Sequence, residues 1–163
     1  MKWTESTGGP LLLLQPSLLQ EWEGINPARS GRVQTDYDRA CAVVEYVGAI
    51  SVGEGHGLVL GDMPMPAAWW PESGGILVRW MAAESEQAVI EALKALPADL
   101  SWQTEVSFDS SGEDLVLFDS AWPGKDLPAE VATLHRPRGR HAVETAVLQE
   151  EEISLVLHRF KVL

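Results

Sequence analysis

Along residues 100–108, LSWQTEVSF, apolar and polar positions alternate. Leu100, Trp102, Thr104, Val106 and Phe108 share one side; Ser101, Gln103, Glu105 and Ser107 share the other. A period of two marks a strand with one wet face. The turn-forming DSSGED follows, then a continuous apolar run from Leu115 to Phe118, so the pattern predicts a hairpin over residues 100–118. A second hairpin is predicted at the end of the chain, from HAVETAVLQ through EEE to ISLVLHRFKVL. A third joins EYVGAISV to GLVLGD around Gly53, Glu54 and Gly55. A further strand is predicted over residues 76–81, opened by Gly74 and Gly75 and carrying Trp80.

Two stretches follow the helical period instead. In SEQAVIEALKAL, Ser85 stands as the cap and Glu86 in the first turn. Val89, Leu93 and Leu96 form the inward stripe, Lys94 sits in the last turn and Pro97 stops the helix. In TDYDRAC, Thr35 is the expected N-cap, with Asp36 and Asp38 in the first turn, where carboxylates complement the exposed N–H groups. Tyr37, Ala40, Cys41 and Val44 recur at helical spacing and are expected to be buried, with Arg39 outward. Strands outnumber helices by roughly three to one, which predicts a mainly antiparallel α+β domain built from hairpins, with two or three short helices. The segment 62–75, DMPMPAAWWPESGG, reads as a loop because its three prolines and paired glycines oppose long regular structure. Trp69 and Trp70 lie back to back in it. In an extended chain they point oppositely, so one is expected to face solvent as a binding anchor; the other reading is that both plug the open end of a sheet.

Composition changes the picture modestly. The 163 residues, 45% apolar, suit one globular domain over residues 1–163. The run Leu11–Leu14 is far too short to span a bilayer. The opening MKWTESTGGP lacks the basic start of a signal peptide, and one cysteine permits no internal disulfide; both suit the cytoplasm. Charge says more. The net charge is −12, and residues 1–120 hold 18 acidic against 6 basic residues, while residues 121–163 hold 6 of each. Such a field repels nucleic acid and anionic membranes and attracts basic partners, although solubility alone is the competing explanation.

Candidate chemistry is sparse. Cys41 has no histidine near it in sequence to activate a thiolate. His56, His135, His141 and His158 follow no metal-binding spacing, and no G-x-S-x-G elbow occurs. His141 and His158 fall on adjacent predicted strands, where they could meet across the sheet. Gly53, Gly55 and Gly57 lack the helix and lysine of a phosphate loop. RPRGR, residues 136–140, is a short basic turn, and the pair Asp109 and Glu113 is one of many carboxylate pairs in an acidic chain. No catalytic residue, metal or cofactor is therefore expected. The alternative is a small hydrolase-like enzyme or ligand-binding module using carboxylates and histidines, around His141 and His158.

Two short motifs carry a resemblance. Trp22 to Gly24 has the form W-x-G, and Tyr37 to Cys41 the form Y-x-x-x-C. Around them, in order, come GGPLLLL, DYDRAC, GLVLGD, a tryptophan before a Gly-Gly strand, LVLFDSA and the closing LHRF. This succession, from Gly8 to Phe160, resembles the immunity protein 21 family of bacterial polymorphic toxin systems. The resemblance implies a cytoplasmic antitoxin that binds a cognate toxin, often a nuclease, and blocks it without catalysis. Trp22, Gly24, Tyr37 and Cys41 are then mainly scaffold. Given the acidic field, the expected partner is a basic protein toxin rather than nucleic acid or membrane. Asp36, Asp38, Arg39, Glu54, Asp62, Trp69, Trp70 and Glu72 are the expected contact residues.

Overall fold

The computed structural model describes every residue except Arg29, Ser30, Arg32, Asp62 and Pro137. Its elements run β1 (Trp3–Thr4), β2 (Leu11–Leu14), a 3-10 helix (Pro16–Glu21), α1 (Asp36–Cys41), β3 (Gly48–Val52), β4 (Gly55–Leu60), β5 (Ala67–Trp70) and β6 (Ile76–Ala82). Then come α2 (Glu86–Lys94), β7 (Gln103–Ser110), β8 (Leu115–Asp119), a second 3-10 helix (Gly124–Asp126), β9 (Ala132–Leu134), β10 (Gly139–Gln149) and β11 (Ser154–Val162). The strands make a six-stranded sheet, β1-β5-β6-β11-β10-β7, and a five-stranded sheet, β3-β4-β2-β8-β9. Every ladder among the described residues is antiparallel. The class is the expected α+β.

The four leucines of β2 explain the layering. Leu11 and Leu13 enter a core that also takes Leu58 and Leu117 from their own sheet and Leu77, Phe108 and Val143 from the other. The two sheets therefore face each other. Leu12 and Leu14 enter a second core with Val59, Val116, Phe118, Trp22 and Ala40, beneath the first 3-10 helix and α1. Apolar residues at every position suit a strand covered on both faces, and each fully buried leucine contributes about 1.5–3 kcal/mol. On the far side of the six-stranded sheet, Ile76, Val78, Leu155 and Leu157 pack against Val89 and Leu93 of α2. Buried Arg79 joins loop to sheet: its guanidinium donates to the carbonyls of Tyr46 (2.9 Å), Gly61 (2.6 Å) and Met63 (2.9 Å).

Locally determined expectations hold. β10 and β11 pair from His141–Val162 to Gln149–Ser154, and β3 and β4 pair through Val52–Gly55, with Gly53 at φ 53° in the turn. Ser85 caps α2, its hydroxyl accepting from the Ala88 N–H at 3.2 Å.

Three expectations are corrected. β7 and β8 form no hairpin: β7 pairs with β10 in one sheet, and β8 lies between β2 and β9 in the other. β8 is buried at every position and needs cover on both faces, which a central place in the five-stranded sheet supplies, whereas β7 keeps a wet face at a sheet edge. The segment 62–75 is not all loop. Pro64, Pro66 and Pro71 bracket residues 67–70 rather than interrupt them, so β5 pairs with β1 and β6. The inward stripe of α1 is shorter than its spacing suggests: Ala40 is buried and Tyr37 half-buried, but Cys41 is exposed and Val44 is 76% exposed, because the helix ends at Cys41. No helix among the described residues is long and apolar enough to cross a membrane.

Candidate functional site

The predicted acidic residues begin at α1, whose start is a capping box. The Thr35 hydroxyl accepts from the Asp38 N–H at 3.1 Å, and the Asp38 carboxylate accepts from the Thr35 N–H at 2.8 Å. These bonds to Thr35 hold the Asp38 carboxyl below its ordinary range. Arg39 donates to Asp36 at 2.5 Å and to the Ser51 carbonyl at 2.7 Å, tying α1 to β3. The three charges thus have local work, while Asp38 stays exposed and Asp36 partly so.

Glu54 is exposed in the β3–β4 turn. The neighbouring Gly53 lies against Glu21, whose Cγ would be 2.9 Å from a Cβ there. Glu21, Glu23, Gly24 and residues 33–36 line a cavity of about 350 Å³, so Glu21 and Glu23 join Asp36 at one place. Sequence reasoning missed these two glutamates, although they flank Trp22 and Gly24 of the W-x-G motif. That motif has a structural explanation. The Trp22 indole is buried and donates to the Ser120 carbonyl at 2.9 Å. Gly24 sits at φ +63°, where an added Cβ would lie 2.6 Å from the Ala121 carbonyl oxygen and from the Trp122 carbonyl carbon. The Y-x-x-x-C motif places Tyr37 beside Cys41. Burial first, then a hydrogen bond with Cys41, pushes the Tyr37 hydroxyl up to about 12.

The other predicted residues lie elsewhere. Trp70, one of the expected contact residues, is 7% exposed in the core beneath α2 and is withdrawn from the surface. Trp69 is half-buried, with the Arg136 guanidinium 4.2 Å from its ring centroid and Phe160 at 6.4 Å. Gly75 makes room for that indole, since a Cβ there would lie 2.2 Å from the ring. Arg136 is therefore buried in aromatic surroundings instead of forming a surface patch with Arg138 and Arg140, and burial lowers its pKa to about 10. Glu72 is exposed; Asp62 lies outside the described residues. The tryptophan that does reach solvent is Trp122, 51% exposed, which neither periodicity nor motif singled out.

His141 and His158, which adjacent strands could have brought together, do not meet. His141 is opposite Val162 and stacks on Phe108 at 5.4 Å, while His158 is opposite Thr145 and shares a 2.8 Å hydrogen bond with it. Both are buried in the core. Their strands are adjacent, but the antiparallel register separates them. His135 instead meets Asp114 at 2.6 Å on the surface, and Glu113 accepts from Ser17 at 2.7 Å. Among the described residues no three His, Cys, Asp or Glu side chains are grouped to hold a metal ion.

These features define a two-sheet α+β protein with buried core histidines and carboxylates gathered at its surface. The model of the immunity protein 21 family matches residues 2–153, nearly the whole chain. The chain belongs to that family, and so to the proteins that protect against toxins. No curated protein and no solved structure matches it.

Proposed function

We propose that the protein neutralises one cognate toxin in the cytoplasm, without catalysis, by covering it with a carboxylate-bearing face. That face comprises Glu21, Glu23, Asp36, Asp38 and Glu54, and the toxin it meets is basic, as a nuclease must be to hold phosphates. The observation that carries the reading is the meeting of Glu21 and Glu23 with Asp36 around one cavity, within a family of toxin-neutralising proteins. A carboxylate cluster on a chain of net charge −12 steers a cationic partner and favours it over anionic competitors. Asp36 and Asp38 serve the helix and the interface together. Arg39 stays on Asp36, while Trp69 and Glu72 fall outside this face.

The test begins by seeking a toxin domain encoded beside the gene and uses that domain as the partner. Wild-type protein should bind it, suppress its toxicity on co-expression, and bind more weakly as salt rises. Charge reversal at Glu21, Glu23 and Glu54 should lower affinity by about tenfold or more and flatten the salt dependence. Unchanged affinity and slope would refute this face.

A further inference from the structure

Resting on that reading, we propose a second recognition element: the groove beside Trp122 receives an arginine side chain of the toxin's contact segment. The groove has a volume of about 450 Å³ between the N-terminal strand and the segment that follows β8. Trp122, Leu127 and Val131 supply apolar lining, with Asp126 and Glu130 also in the lining. Both carboxylates are exposed, and neither side chain has a hydrogen bond or ion pair among the described residues. Among the described residues Lys2 is the one base in the lining, and it reaches the Val131 carbonyl at 3.4 Å.

The occupant follows from this combination. A purely apolar segment would cover the two carboxylates without pairing them, which is costly. A lysine would pair with them but would not stack its head on the indole as a flat guanidinium does. The protein itself shows the required arrangement elsewhere: Arg159 lies 4.3 Å over the Trp102 ring while its Nε donates to Glu144 at 2.6 Å. At Trp122 the indole and the carboxylates are present and the cation is the part left for a partner. The groove also continues the acidic face. Gly24 lines the acidic cavity and is pressed against the backbone of Trp122, which lines the groove, so the W-x-G turn joins the two.

The experiment is a nuclear magnetic resonance titration of the full chain with a hexa-arginine peptide. It follows the Trp122 indole N–H signal, assigned by its loss in Trp122→Phe. That signal should shift with hexa-arginine and not with hexa-glutamate. Asp126→Asn with Glu130→Gln should weaken the response about tenfold, whereas Glu150→Gln with Glu151→Gln, which removes the same charge at the β10–β11 turn, should preserve it. An unmoved Trp122 signal, or equal loss in both double variants, overturns the groove. So does a concentration-dependent dimer that Trp122→Ala dissolves, since a second copy would then be the occupant. Against the toxin domain, Trp122→Ala should bind about tenfold more weakly. If the wild type binds the toxin and Trp122→Ala binds equally well, the groove fails and the proposed function stands. If the wild type fails to bind the toxin while the peptide titration succeeds, the proposed function fails and with it the toxin as occupant, while the groove's affinity for arginine stands.

Discussion

At Gly24 the backbone turns through φ +63° against the 121–123 backbone, with no space for a side chain. Gly24→Ala should therefore cost about 2 kcal/mol or more in urea denaturation, from left-handed strain together with the backbone clash. His158 carries a pH dependence. Burial, and then the positive charge of Arg79, lower its pKa from 6.5 to about 3, and its Nε2 has no hydrogen-bond partner among the described residues. The unfolded chain takes up a proton near pH 6.5 and the folded chain does not. This contribution to stability is complete above that pH and is lost as pH falls towards 3, with a slope approaching about 1.4 kcal/mol per pH unit. His158→Gln should flatten the stability profile between about pH 6 and 4.5. The carboxyls of Asp38 and Glu86 are also held low, so their contributions are complete above the ordinary carboxylate range and are lost as pH falls through it, overlapping the lower part of the His158 window. Cys41 was expected to be buried, but the helix ends at its own position and leaves it exposed. An aromatic disulfide reagent should titrate it in the folded protein, without denaturant.

Among the elements, legibility followed distance along the chain. The β3–β4 and β10–β11 hairpins were readable because a short turn sets each register. The caps of α1 and α2 were readable because Thr35 and Ser85 act on N–H groups three residues away. Thr35→Ala and Ser85→Ala should each cost about 1 kcal/mol by chemical denaturation. At α1, removing Thr35 and Asp38 together should cost less than the sum of the single changes, because each bonds the other's backbone. β7 and β8 read as a hairpin in the sequence and are not one. Their turn looks like a hairpin turn, and the choice between sheets is made by β2 and β10, which lie far away in sequence. β5 was hidden by the prolines that frame it.

For the whole molecule, the shared core between the sheets has a thermodynamic consequence. Leu77 of one sheet and Leu58 of the other lie in it together, so neither sheet keeps its inner face dry alone. A single unfolding transition, coincident by near- and far-ultraviolet circular dichroism, is expected of residues 1–163. Leu77→Ala should lower stability by about 2–5 kcal/mol. Charge acts at the same scale. With a net charge of −12 the folded chain repels itself, so raising salt from about 20 to about 300 mM should raise its melting temperature, while the same change weakens its hold on a basic toxin. Opposite signs in one salt series separate self-repulsion from steering.

By itself the sequence determined the class of fold, the capped helices, the short hairpins, the family and the sign of the field, since each depends on local spacing, motif order or a sum over residues. Tertiary structure alone decided which strands share a sheet and which acids share a cavity. It also decided that Trp70 and Arg136 go inward while Trp122 comes out. Adjacent predicted strands suggested that His141 and His158 could meet, but the antiparallel register puts Val162 and Thr145 opposite them. Glu21, Glu23 and Asp36 converge because a 3-10 helix and α1 cover the same leucine-rich sheet face. That convergence depends on long-range packing, which no local pattern in the chain records.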